Sequence, residues 1–205
     1  MSKPLSANDQ AVKTLADDLW QEMLSHSPIW GTFLGIEVKD GALDDTSDAA
    51  RLRDRAMWEK YSKAAKAIGD EGLDIEWKIT RDLIAVGGSI AIEKDDHRMD
   101  LLSSVDHMDG VQTLLPQIVT FQDATTPEKF AKLVSRLKAF PKFMDEAIER
   151  VHEAEKRGPV ASKISTERLL VQLEGLMAIP TAQYPIVTAA NVAGDAERAA
   201  PATIA

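Results

Sequence analysis

Between residues 8 and 26, Val12, Leu15, Ala16, Leu19, Trp20, Met23 and Leu24 recur at spacings of three and four. That period puts them on one stripe of an α-helix, with polar residues on the rest of its circumference. Ser27-Pro28 ends the pattern, because a proline disfavours helical backbone in the residue before it. The stretch that follows, PIWGTFLGIEVKDGALDD, is rich in Gly and Asp yet carries Ile29, Trp30, Phe33, Leu34 and Ile36. It is expected to be a loop that folds back into the core. Thr46 and Ser47 offer caps for a second helix, whose stripe runs Met57, Tyr61, Ala64, Ala65 and Ile68 up to Gly69. A third helix is predicted from about Asp74, with Ile75, Ile79, Leu83, Val86 and Ile90 on one face. Gly87-Gly88 lies inside it, the signature of a kink or of close approach by another helix.

The second half continues in the same period. The polar segments EKDDHRMD and SSVDHMDG read as a connection, and Val111, Leu114, Leu115 and Ile118 form a short helix that contains Pro116. Thr126-Pro127-Glu128 is a helix start: Thr caps, Pro fits the first turn, and Glu complements the positive end of the dipole. The stripe Phe130, Leu133, Val134, Leu137 follows, Pro141 is expected to kink or restart the helix, and Met144, Ala147, Ile148 and Val151 carry it on to Gly158-Pro159. A last helix from about 166 holds Leu169, Leu170, Leu173, Leu176 and Met177 and ends before Pro180. No repeat of fixed period is present. The pattern predicts an all-α fold, an irregular bundle of about six to seven helices with a long Gly/Asp-rich loop after the first. Residues 1–7 are expected to be a flexible start, 8–186 a helical domain, and 187–205 an Ala-rich, disordered tail.

Composition narrows the chemistry more than the fold. An apolar share of 44% in 205 residues supports a sizeable core, and an aromatic share of only 5% agrees with helices rather than sheets. With no cysteine, a disulfide framework and thiolate metal sites are excluded, and four histidines plus carboxylates are the only ligands on offer. The net charge of -9 disfavours nucleic acid and anionic membrane surfaces as partners. No secretory h-region and no long uninterrupted apolar run is present, so a cytoplasmic protein without a membrane partner is expected.

The segment Val151-His152-Glu153-Ala154-Glu155-Lys156 comes within one residue of the HExxH zinc motif, with Lys156 where the second His belongs. A protonated ammonium cannot donate a lone pair to zinc. Asp145, Glu149, His152 and Lys156 share one helical face opposite the apolar stripe, and Glu146 with Arg150 and Glu153 with Arg157 stand at i,i+4. The segment therefore reads as a solvated face. Glu149-x-x-His152 is also one copy of the element that di-iron bundles use twice; Met23, Lys94 and Ser104 precede the other histidines by three, so a second copy is absent. Asp95, Asp96 and His97 with Asp106, His107 and Asp109 form an acidic cluster suited to weak cation binding only if the connection folds back on itself. Gly87-Gly88-Ser89 sits in a helical pattern and lacks an adjacent acid or base, which argues against a nucleophilic serine. No residue is assigned a catalytic, cofactor-binding or metal role.

Several segments, taken in order, resemble a large bacterial family catalogued as a domain of unknown function, number eight-eight-five. Pro28, Gly31-Thr32, Leu34-Gly35, Leu43, Asp45 and Ser47 are similar to its P-x-x-A-T-x-x-G and L-x-D-x-S segments, with Gly31 replacing the usual Ala. Phe130, Leu133, Arg136-Leu137, Pro141, Ile148, Gly158, Arg168 and Gln172-Leu173 resemble a helix pair with an R-L-x-x-x-P core, His107 to Gly110 an H-x-x-G-like connection, and Tyr184-Pro185 a Y-P element. The resemblance spans roughly residues 10 to 186. It implies a zinc-metallopeptidase-like hydrolase whose H-E-x-x-P-G-H-H motif lies in a C-terminal half outside these residues. On that reading the chain is the N-terminal helical wall of such an enzyme, without a zinc site and not catalytic alone, with zinc expected only in that other half. Its apolar stripes would then expose surface for a complementary C-terminal half or for self-association. The alternative is a stand-alone all-α binding or scaffold protein derived from the family.

Overall fold

The computed structural model describes residues 4–36, 41–103, 106–158 and 161–184. The predicted tail from 187 lies outside them, as does Pro159. Among the described residues the chain is all-α, with eight helices: α1 (Ala7–His26), α2 (Pro28–Phe33), α3 (Asp48–Ala67), α4 (Ile75–Asp96), α5 (Met99–Ser103), α6 (Val111–Phe121), α7 (Pro127–Arg157) and α8 (Lys163–Met177). They sort into two compact units, one of Met1–His26 with Ser47–Met99 and one of Ser27–Thr46 with Asp100–Ala205. No helix among them is long and apolar enough to cross a membrane.

In the first unit α1, α3 and α4 close on Leu19, Met57, Tyr61, Ala65 and Ile84, with Leu15, Met23 and Trp58 packed around them. Burial of each large side chain in such a cluster contributes roughly 1.5–3 kcal/mol. Ser62 and Gly88 set the distance between α3 and α4: a Cβ on Gly88 would stand 2.6 Å from the Ser62 Cβ. The Gly-Gly pair thus marks a close helix approach. The start of α1 is tied to the turn before α4. Ser6 and Asp9 cap one another, the Asp74 N–H donates to Asp9 Oδ1 at 2.9 Å, and Asn8 donates to the carbonyls of Gly69 and Glu71. Asp9 is fully buried, and its carboxylate accepts from the Ser6 and Asp74 N–H groups, the condition under which a buried charge is tolerable. Ser47 caps α3 by accepting from the Ala50 N–H, as its sequence position implies.

The second unit packs Ile29, Ile118 and Leu133 with Phe33, Leu43, Leu114 and Leu137. Phe33 meets Phe121 edge to face at 5.0 Å. Thr126 caps α7 by accepting from the Lys129 N–H, and Gly158 ends it in a left-handed conformation, φ 98°.

Four local expectations need correction. A loop is expected after Ser27, but Pro28–Phe33 is helical: Pro28 starts the turn, and Asp44 accepts from the Ile29 N–H at 2.9 Å and from Ser27 Oγ at 2.7 Å. The polar segment after Ile90 is expected to be a connection, but α4 continues to Asp96, because Arg51 and Arg55 of α3 bind Asp95 at 2.5 and 2.7 Å. Pro141 is expected to kink or restart the helix, and it does not restart it, since α7 runs through it as one helix of 31 residues. Buried Leu133, Arg136, Phe143 and Ala147 hold it on both sides of the lost backbone bond. The α8 start falls three residues before the expected 166, at a cap the periodicity does not reveal, with Ser162 Oγ accepting from the Ser165 N–H.

Candidate functional site

His152, Glu155 and Lys156 are exposed on the last turns of α7, while Ala154 on the opposite side is buried. Glu153 and Arg157 pair at 2.7 Å as their spacing implies. Glu146 and Arg150 do not bond directly, because both reach for Thr46. Glu146 accepts from Thr46 Oγ1 at 2.8 Å and from Lys142, and Arg150 donates to the Thr46 carbonyl at 2.9 Å. Burial alone would raise the Glu146 carboxyl, but Lys142 and Thr46 outweigh it and hold it below its ordinary value.

Asp95 and Asp96 are held by arginines of α3, and Asp106 by backbone N–H groups of its own turn. Burial works to raise the Asp95 carboxyl, yet the hydrogen bonds from Arg55 and Arg51 prevail and hold it low. Asp106 accepts from the backbone N–H groups of Met108 and Asp109, which lower it likewise. Among the described residues no three His, Asp or Glu side chains gather as metal ligands do. The described donors therefore form no zinc site, and the zinc that the resemblance implies belongs to a half outside these residues. Ser89 has a cationic neighbour that spacing alone does not show, Lys66, whose Nζ donates to Ser89 Oγ at 2.9 Å. Ser89 Oγ in turn donates to the Ala85 carbonyl. An amine that donates to a hydroxyl is not taking its proton.

What the family-like residues build is architecture. Arg136 is 1% exposed and donates from Nε to the Ala42 carbonyl at 2.7 Å, from Nη1 to Gln122 Oε1 at 2.8 Å, and from Nη2 to Thr32 Oγ1 at 3.0 Å. Thr32 Oγ1 donates onward to the Pro28 carbonyl. One guanidinium thus ties α2, the segment after it and the end of α6 to α7. Its planar fork supplies the three directions that this needs. Gln122 was invisible as a partner, since nothing in its spacing distinguishes it from a surface residue.

The feature with the reach of a functional site is the outer face of α4. Ile75 is 72% exposed, Ile79 54%, Leu83 67%, Val86 56% and Ile90 46%, so the stripe legible in the sequence faces away from the unit's own core. Only Ile84 and Gly88 of α4 are buried. Beside Leu83, Trp20 and Met23 of α1 and Trp58 of α3 line an open, almost wholly apolar depression of about 250 Å³. Large exposed apolar patches are characteristic of interaction sites.

Residues 28–205 match the model of a family described as bacterial protein of unknown function (DUF885). No curated protein and no solved structure matches the chain.

Proposed function

Because the chain belongs to this family of bacterial proteins, we propose that it acts as a non-catalytic helical wall of a zinc-metallopeptidase-like hydrolase, docking the catalytic part against the outer face of α4. The observation that carries the reading is the exposure of Ile75, Ile79, Leu83, Val86 and Ile90 in one unbroken register. Five large aliphatic side chains left in water cost the isolated unit free energy that their burial would return, at about 25 cal/mol for each Å² covered. The helix that carries them is firmly seated on its other side by Ile84, by Gly88 against Ser62, and by the Arg51 and Arg55 pairs to Asp95. Such a helix offers a fixed surface rather than a loosely held one. The chemistry, on this reading, resides in the partner: zinc and its ligands come from a segment bearing the H-E-x-x-P-G-H-H pattern, and these residues shape and close the space above it.

The test is reconstitution. The chain is mixed with the zinc-motif half of a full-length family member, and stoichiometric association and zinc-dependent peptide hydrolysis are measured. The expected outcome is a one-to-one complex whose hydrolysis requires both parts, weakened by Leu83→Gln. Stoichiometric zinc in the chain alone, or hydrolysis by the chain alone that disappears in His152→Ala, would contradict the proposal.

A further inference from the structure

The α4 face has a charge pattern as well as an apolar one, and that pattern selects what covers it. Glu76 lies one turn before Ile79 and Glu93 one turn after Ile90, both exposed on the same side as the stripe. Among the described residues neither has an ion-pair partner. Asp82, between them, is already held by Arg81 at 2.7 Å, and Lys94 is the base alongside. The seam therefore ends in a carboxylate at each end, about five turns apart on a helix that rises about 5.4 Å per turn.

A second copy of the chain is a poor occupant. In an antiparallel pairing of two α4 helices, the register that sets Ile79 across from Ile90 and Leu83 across from Val86 also sets Glu76 across from Glu93. A parallel pairing sets each glutamate across from itself. Both arrangements bring like charges together at the margins of an apolar seam, which is how helix pairs are prevented. An anionic membrane surface meets the same repulsion from a chain of net charge -9.

We infer that the partner is a basic amphipathic α-helix, about five turns long, with aliphatic residues at i, i+3/i+4 and i+7 and with Lys or Arg at both ends of that stripe. Its apolar side covers Ile79, Leu83, Val86 and Ile90, one large side chain enters the depression beside Trp20 and Trp58, and its terminal cations meet Glu76 and Glu93. Gly87 flanks the seam without a side chain, and on the other margin Ser89 holds the Lys66 ammonium on its hydroxyl, between the two glutamates. The inference rests on the docking role proposed for this face and adds the chemistry of the occupant.

The probes are two labelled model peptides, each about five turns long, with the same leucine stripe and either lysine or glutamate at every flanking position. Binding to the full chain is followed by fluorescence anisotropy at low and high salt. The lysine peptide is expected to bind about threefold to tenfold more tightly, with the difference shrinking as salt rises. Glu76→Lys/Glu93→Lys, two exposed substitutions, is expected to reverse the preference. Equal binding of both peptides, or a preference that neither salt nor the double substitution moves, overturns the inference while the docking face survives. Dimerisation of the chain that Leu83→Gln abolishes overturns it in the same way. Failure of both peptides to bind a monomeric chain overturns the inference and the docking role together.

Discussion

Gly87 and Gly88 are adjacent in the chain and opposite in their demands. A Cβ on Gly88 would stand 2.6 Å from Ser62 Cβ and 3.0 Å from the Trp58 carbonyl, whereas a Cβ on Gly87 meets only a ring carbon of Trp58 at 4.0 Å. Gly88→Ala therefore forces α3 and α4 apart and is expected to cost about 1–3 kcal/mol. Gly87→Ala gains helix propensity without a clash and should be neutral or stabilising by up to about 1 kcal/mol. Chemical denaturation of the two variants separates these outcomes. The sequence announces the close approach through the pair but not which member makes it, since that depends on the rotation of α4 against α3. Arg136 poses the same difficulty: the R-L-x-x-x-P pattern singles it out but does not name its partners, Ala42, Gln122 and Thr32, on which it is buried. Arg136→Ala strands those acceptors and is expected to destabilise by about 3 kcal/mol, with Arg136→Lys recovering little because a single ammonium cannot make the three-way fork.

Among the elements, helices with a full apolar stripe and a cap were legible at both ends, as α3 and α7 illustrate, although the continuity of α7 through Pro141 was not. Short α2 was not, because its start is satisfied by Asp44 from a distant part of the chain. The extension of α4 past Ile90 was hidden for a related reason: its last turn is held by arginines on α3. That contact makes the α3–α4 pair sensitive to acid. The Asp95 carboxyl is held below its unfolded value, so the folded pair binds fewer protons than the unfolded chain. Its contribution is complete above an ordinary aspartate value, near ~4, and is lost as pH falls through the depressed one. Unfolding midpoints measured from neutral pH downward should drop in that acidic window, and Asp95→Asn should be less stable at neutral pH with a shallower fall. The outer stripe of α4 was legible as one face of a helix, but period alone does not say whether a face is turned inward or outward. Being largely exposed, Leu83→Gln should change the unfolding free energy by no more than about 0.5 kcal/mol.

For the whole molecule, the fold class and the family were within reach of the sequence, because hydrophobic period and the order of Pro, Gly and apolar positions survive without any site chemistry. The HExxH-like stretch was correctly legible as surface: His152 and Lys156 are exposed while Ala154 is buried. That the α4 stripe is exposed could be stated only once burial was known. The account stands on that face being an apolar surface on an otherwise well-packed unit. Its most direct test is the fluorescence of a dye that brightens on exposed apolar surface, bound to the wild-type chain and to Ile79→Asn/Leu83→Gln, with both melting curves recorded. The account predicts strong dye binding by the wild type, loss of most of it in the double variant, and nearly equal unfolding midpoints. A wild-type chain that melts cooperatively and binds no dye, or a variant that binds as much dye as the wild type, would contradict it.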